Sequence, residues 1–315
     1  MRVISLASGS SGNCYLVQAG GYNVLIDCGL TATNLKKYLA DYGVRPAELS
    51  AIFLTHEHSD HVRSAGTASR AWGVPVIANE KTLTAARYRW QKVDRLEEQR
   101  AVQSGTGQIK VESRYNTQVL PVGEAKSFGP LEVSSFPVSH DASDTVCYTF
   151  RAENQQGVIL TDLGCATPEI FEPLNASQLI ILEANHDLQQ LRQSRYSASL
   201  KARISSNVGH LSNSQSADIL EKVLQSSGFE RTVWLAHLSG ENNSPEIAQN
   251  FIYKWLDRAG LPQFKLQVAG RDRPSLDWDF TTATSSIGDC QVAGPAHSSL
   301  DWDSQTDFFQ SRMVF

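Results

Sequence analysis

Apolar residues in this chain fall in short dense runs, separated by glycine-rich or polar breaks. RVISLA (2–7) is extended and ends in the turn-forming SGSSGN. CYLVQ (14–18) and YNVLID (22–27) flank Ala19-Gly20-Gly21 and read as a hairpin. The strand series continues with AIFLT (51–55), PVIAN (75–79), QVLPV (118–122), LEVSSFPV (131–138) and TVCYTF (145–150). GVILTD (157–162), LIILEAN (179–185), TVWLAH (232–237) and FKLQVA (264–269) complete it. Helical patterns cover 32–41, 61–72, 81–103, 193–205, 214–226 and 244–258. Strands dominate the first half and alternate with helices in the second, so two packed sheets flanked by helices are expected. Periodicity stops after Gly270. Residues 271–315 are expected to be a weakly ordered tail, with local docking by Trp278 or Trp302.

The 315 residues suffice for one large domain or two small ones, and the pattern favours one domain over 1–270. Hydrophobic residues at 41% and charged residues at 19% are ordinary for a soluble globular protein. No apolar run reaches the about 18 residues of a membrane span, and MRVISLASGSSGN lacks a signal peptide's apolar core. The five cysteines (Cys14, Cys28, Cys147, Cys165, Cys290) form no CxxC pair and are odd in number. That argues against a disulfide framework and for a cytoplasmic setting. A net charge of −5 offers a polyanion no global attraction, so local basic patches would have to steer one.

The polar residues that end the runs change the picture. LTHEHSDH places His56, His58, Asp60 and His61 directly behind a buried-strand candidate, in a chain with only eight histidines. Imidazoles and carboxylates at this density suit zinc, iron or manganese, although a chance polar loop or helix cap uses the same residue types. Asp27, His140, Asp162 and His237 also end apolar runs. Strand carboxyl edges face a common site in many layered folds. Two ions can then be assembled. His56, His58 and His140 hold one; Asp60, His61 and His237 hold the other; Asp162 bridges them, and Asp27 orients a ligand from behind. Such a pair, about 3.5–4 Å apart, shares a hydroxide nucleophile at neutral pH. No GxSxG element competes, so metal-assisted hydrolysis is the expected chemistry.

The H-x-H-x-D-H core of LTHEHSDH resembles the signature of the metallo-β-lactamase fold. SLASGSSGNCYLV, VLIDCG, SHD (139–141) and TDLG (161–164) resemble its companion motifs, and the likeness covers about residues 1–269. The resemblance implies an α+β fold, a four-layer αββα sandwich with two metal ions at one sheet edge. By motif position its ligands fall on His56, His58, His140 and Asp162 for one ion, and on Asp60, His61, Asp162 and His237 for the other.

LEANHD (182–187), SNVGHLSN (206–213) and LAHLSGENN (235–243) resemble a bacterial branch of single-domain exonucleases, the WalJ/YycJ-like enzymes. This implies 5′-to-3′ exonuclease action on DNA, supported by manganese, and a part in DNA repair; the mixed nitrogen and oxygen ligands themselves also permit zinc or iron. Asp60 and His210 are the catalytic candidates. His210 precedes a helix N-terminus and could contact a scissile phosphate or protonate a leaving oxygen, or simply bond a backbone carbonyl. Glu183 and Asp187 could support the metal shell; Asp187 could equally hold a turn. Arg195, Lys201, Arg203, Ser212, Asn213, Ser239 and Asn242 are candidate substrate contacts, the serines and asparagines being also candidate caps. A second basic string, Arg87, Arg89, Lys92 and Arg95 with Tyr88 and Trp90, reads as a DNA groove or a solvated helix face. The charged segment 91–115 could narrow access to the site. Two other readings remain open: hydrolysis of a small phosphodiester or thioester by the same metal pair, and a non-catalytic metal-stabilised interaction module.

Overall fold

The protein is described by a computed structural model covering residues 1–103, 115–226, 229–261 and 264–280. The first sheet holds β1 (Arg2–Ala7), β2 (Cys14–Ala19), β3 (Tyr22–Ile26), β4 (Ala51–Phe53), β5 (Val76–Ala78) and β6 (Thr117–Val119), side by side in chain order. The second holds β7 (Ala125–Phe128), β8 (Leu131–Pro137), β9 (Val146–Ala152), β10 (Gln155–Leu160), β11 (Leu179–Glu183), β12 (Thr232–Ala236) and β13 (Lys265–Val268). Each sheet is antiparallel in its earlier strands and parallel afterwards, from β3 onward in one and from β10 onward in the other.

Both faces of the first sheet are buried, which is why its strands read as unbroken apolar runs. In β3, Val24 and Ile26 face the inter-sheet core with Phe53, Tyr148, Ile181 and Trp234. Leu25, pointing the other way, meets Ile52, Leu35, Leu39, Leu83 and Trp90. The helices of this outer layer are α1 (Ala32–Asp41), the short α2 (Ser59–Val62), α3 (Ala65–Trp72) and α4 (Glu80–Gln103). The second half contributes α5 (Phe171–Ala176), α6 (Leu188–Gln193), α7 (Ala198–Ile204), α8 (Asn213–Gln225) and α9 (Pro245–Arg258). Helices α5, α8 and α9 pack on one another and on β10 and β13, completing an αββα sandwich. None of the described helices is long and apolar enough to cross a membrane.

The described residues continue past Gly270 as part of the first sheet. Strand β14 (Leu276–Asp279) pairs antiparallel with β1, and Trp278, opposite Val3, is buried in the inter-sheet core. An alternation of four residues in a Ser/Asp-rich stretch is too short to register as a strand, but β1 offered an open edge. Trp302 lies outside the described residues, as do 104–114 of the charged segment. The helix expected at 61–72 is broken at Ser64, whose N–H and Oγ donate to Cys28 O and Leu30 O and tie it to the β3 exit loop. The helix expected at 193–205 divides into α6 and α7, with Ser197 capping the second.

Candidate metal centre

The site is built on strand ends. Asp27 follows β3, Asp162 lies just past β10, Glu183 closes β11 and His237 follows β12. His56, His58, Asp60 and His61 leave β4, and His140 leaves β8. Asp27, Asp162 and His237 have φ of 60°, 60° and 53°, the left-handed region that L-residues seldom occupy. Each such residue costs about 1–3 kcal/mol unless its surroundings hold it. Here they do. Asp27 N–H donates to Phe53 O at 2.8 Å. His237 N–H donates to Ser8 Oγ at 2.9 Å, and the same oxygen accepts from the buried Tyr15 hydroxyl at 2.7 Å. Asp162 N–H donates to Glu183 Oε1 at 3.3 Å. Gly29 permits a further approach: a Cβ there would lie 1.6 Å from Asp60 O, which accepts Asn13 N–H at 2.7 Å.

Four imidazoles share one arrangement. Each has Nδ1 held by a neighbour: His61 by Asp27 at 2.7 Å, His237 by Glu183 at 2.7 Å, His140 by Gly209 O at 3.0 Å and His56 by Thr55 Oγ1 at 3.0 Å. Thr55 donates its hydroxyl to Asp27, leaving its lone pairs for His56. Holding Nδ1 as the N–H end fixes the tautomer and turns Nε2 inward as an acceptor, the geometry of metal-ligating histidine; in His61 that atom lies 3.0 Å from Asn13 Nδ2. The Nε2 atoms of His56, His140 and His237 and Oδ2 of Asp162 are buried without a hydrogen-bond partner. Burying such acceptors unpaired is costly, so the donor set fits bound cations.

The ligand atoms fall into overlapping groups. His56, His58 and His140 form one, Asp60, His61 and His237 another, and His56, His61 and Asp162 connect them, each within 4.8 Å. Asp162 Oδ2 is 3.1 Å from His61 Nε2, while its Oδ1 is 3.8 Å from His140 Nε2. These clusters are consistent with a dinuclear zinc or manganese site. The electrostatics agree. Burial drives His56 well below the usual histidine range, keeping it neutral as a ligand must be. Burial acts likewise on His61 and His237, but the surrounding carboxylates outweigh it and hold both well above that range. Burial would raise Asp162; His237 and His61 hold it well below the ordinary carboxylate range. The pocket thus favours positive charge, carried by protons on imidazoles that cations would displace.

Residues 7–214 match the model of the metallo-beta-lactamase superfamily. The chain belongs to this superfamily. It is 35% identical over 256 residues to exodeoxyribonuclease WalJ of Streptococcus pneumoniae serotype 2 (strain D39 / NCTC 7466), covering 81% of this chain and 88% of that protein. It is 33% identical over 256 residues to exodeoxyribonuclease YycJ of Bacillus anthracis, covering 81% and 89%. The fold also matches the metallo-beta-lactamase fold protein YhfI from Bacillus subtilis, with a TM-score of 0.61 at 15% identity, over 88% of this chain and 99% of that one.

Around the superfamily ligands, the remaining candidates divide. His210 is half-buried between His140 and His237, its ring centroid 5.2 and 5.3 Å from theirs, with Nδ1 3.0 Å from Glu183 Oε1. With Arg203 and Ser239 it lines a cavity of about 190 Å³. Arg203 is bonded to Asp141, Lys201 Nζ donates to Arg192 O at 2.6 Å, and Arg195 is exposed. Three expected substrate contacts are instead buried scaffold. Ser212 forms a capping box with Gln215 at the start of α8. Asn213 exchanges amide hydrogen bonds with Asn243. Asn242 is 1% exposed and donates from Nδ2 to Ser239 Oγ. Asp187 caps α6, accepting Gln190 N–H, the turn-holding role the sequence also allowed. Sequence reasoning passed over Ser8, Asn13, Thr55, Asp141 and Gly209. All lie inside the quoted motifs, but hydroxyls, amides and a carbonyl look like turn residues until their partners are known.

Proposed function

We propose that the protein is a dinuclear-metal phosphodiesterase that degrades DNA exonucleolytically from the 5′ end. The observation that carries this reading is the ring of imidazoles with Nδ1 held and Nε2 turned inward around Asp162. The names of the aligned relatives supply DNA as substrate, and the polarity is carried over only as what the resemblance of the LEANHD, GHLSN and HLSGENN motifs implies. Two divalent ions held here would supply Lewis acidity and acidify water to the nucleophile. Asp162 keeps the two ligand groups in register. Asp60 accepts from Asn13 Nδ2 at 3.4 Å and, at the more open side of the site, orients the attacking water. His210 acts opposite. With Nδ1 held by Glu183, it turns Nε2 to the scissile phosphate and protonates the leaving oxygen. Burial disfavours its charged form, but Glu183 and Asp162 outweigh this and raise its pKa.

The test uses end-labelled single-stranded DNA blocked at the 5′ or the 3′ terminus, with Mn²⁺ or Zn²⁺ supplied. Degradation from an open 5′ end, lost in Asp60→Ala and slowed about 10²–10⁴-fold in His210→Ala, is expected. Intact DNA beside rapid turnover of a small phosphodiester or thioester would sink the nuclease reading.

A further inference from the structure

A cavity of about 930 Å³ lies against the metal-centre loops, lined by Glu57, Lys81, Tyr88, Arg89, Lys92 and Ser143 among others. Its long wall is one stripe of α4. Lys81, Thr84, Tyr88 and Lys92 recur at three- and four-residue intervals and so share a helix face. Neighbouring positions are committed inward. Trp90 is buried and donates its indole N–H to Val62 O at 3.0 Å, and Arg87 is bonded to Thr117. Of the basic string on this helix, Arg89 and Lys92 are therefore the members that line the cleft. Beside them in the lining is Tyr88, 73% exposed. A large aromatic ring left open beside two cations is the combination that stacks a base and holds its phosphates.

The near end of the cleft is anchored to the ligand loops. Glu57 sits between His56 and His58, and its Oε1 accepts Ser143 N–H at 3.0 Å and Ser143 Oγ–H at 2.7 Å. Asn79 Nδ2 donates to Asp144 O at 2.7 Å and Lys81 Nζ lies 3.4 Å from Asp144 Oδ2, so the first turn of α4 is tied to the loop carrying His140. The ties with Ser143 and Lys81 engage Glu57 and Asp144, and the Glu80 carboxylate also lines this end. The positive charge farther along belongs to Arg89 and Lys92.

We propose that this cleft is the track along which one DNA strand runs to or from the metal centre, with Tyr88 stacking a base and Arg89 and Lys92 holding phosphates. The proposal takes its substrate class from the phosphodiesterase reading above. The test is fluorescence anisotropy of the full chain, metal-free, with a labelled twelve-nucleotide single strand over a salt series. Tyr88→Ala should weaken binding about 5- to 100-fold without changing the salt dependence. Arg89→Ala with Lys92→Ala should weaken it and flatten log Kd against log salt by about 1.4, two contacts at about 0.7 each. Metal-loaded, all three substitutions should leave turnover of bis(4-nitrophenyl) phosphate at the wild-type rate, since they lie outside the ligand sets. Wild-type affinity and salt slope in these variants, or an absence of strand binding by the native protein, overturns the track. Variant effects as expected, in a protein that cleaves no DNA, uphold the track and defeat the nuclease reading instead.

Discussion

Replacing Glu183 with glutamine changes one atom at the most heavily bonded carboxylate of the site. Oε1 accepts from His237 Nδ1 at 2.7 Å, His210 Nδ1 at 3.0 Å and Asp162 N–H at 3.3 Å. Oε2 accepts Leu211 N–H at 3.0 Å and Leu163 N–H at 3.4 Å. All five partners are donors, so an amide NH₂ must oppose donors whichever way it turns. Its cheaper orientation strands the Leu163 and Leu211 N–H groups, at about 1–3 kcal/mol each. A second route gives the same scale. Burial raises the Glu183 pKa, but His210 and His237 outweigh it and hold the group at about 2 against an ordinary 4.5. That difference corresponds to stabilisation on the order of 3 kcal/mol, complete above pH 4.5 and lost as pH falls toward 2. Glu183→Gln should therefore lower the melting temperature of the chelator-treated protein by about 6–12 °C. It should also release the His237 ring, weakening the ion held with Asp60 and His61 about 10- to 100-fold while sparing the one at His56, His58 and His140. Thermal unfolding and calorimetric metal titration read both effects. A melting temperature within 2 °C or so of wild type, with two ions bound at unaltered affinity, would refute the reasoning.

Other perturbations test the scaffold. Gly29→Ala drives a Cβ to 1.6 Å from Asp60 O and should cost more than about 3 kcal/mol by urea unfolding; a neutral outcome contradicts the close approach. Ser8→Ala removes the acceptor of both His237 N–H and the Tyr15 hydroxyl and should cost about 1–3 kcal/mol in the same assay, whereas no change would mean that water replaces it. His186 is buried and its pKa is lowered to about 4, chiefly by burial, so the unfolded chain takes up its proton first as pH drops from 6.5. Stability on the order of 3 kcal/mol should be lost between pH 6.5 and 4, and His186→Phe should flatten that part of a urea-derived stability profile; parallel profiles would exclude it.

What could be read from the chain follows from how far each contact reaches. Strand ends bearing His56, His58, His140, Asp162 and His237 were visible because a polar residue closing an apolar run is a local signal. The sandwich was visible for the same reason, the runs being dense where both sheet faces are covered. The supports were not. Ser8 meets His237 across 229 positions and Asp141 meets Arg203 across 62, and no local pattern pairs them. For Ser212, Asn213 and Asn242 the sequence left substrate contact and capping both open, because polar residues near a site look alike in either role; their burial is visible only in the fold. Edge strands β7 and β14 were missed because β7 is largely exposed and β14 spans four residues.

The most direct test of the central claim is the metal content of protein loaded with Zn²⁺ or Mn²⁺ and dialysed free of excess, combined with anomalous scattering from its crystals. The account predicts two ions per chain, one at His56, His58 and His140, the other at Asp60, His61 and His237, with Asp162 touching both. A single ion, or a pair lying away from Asp162, would contradict it.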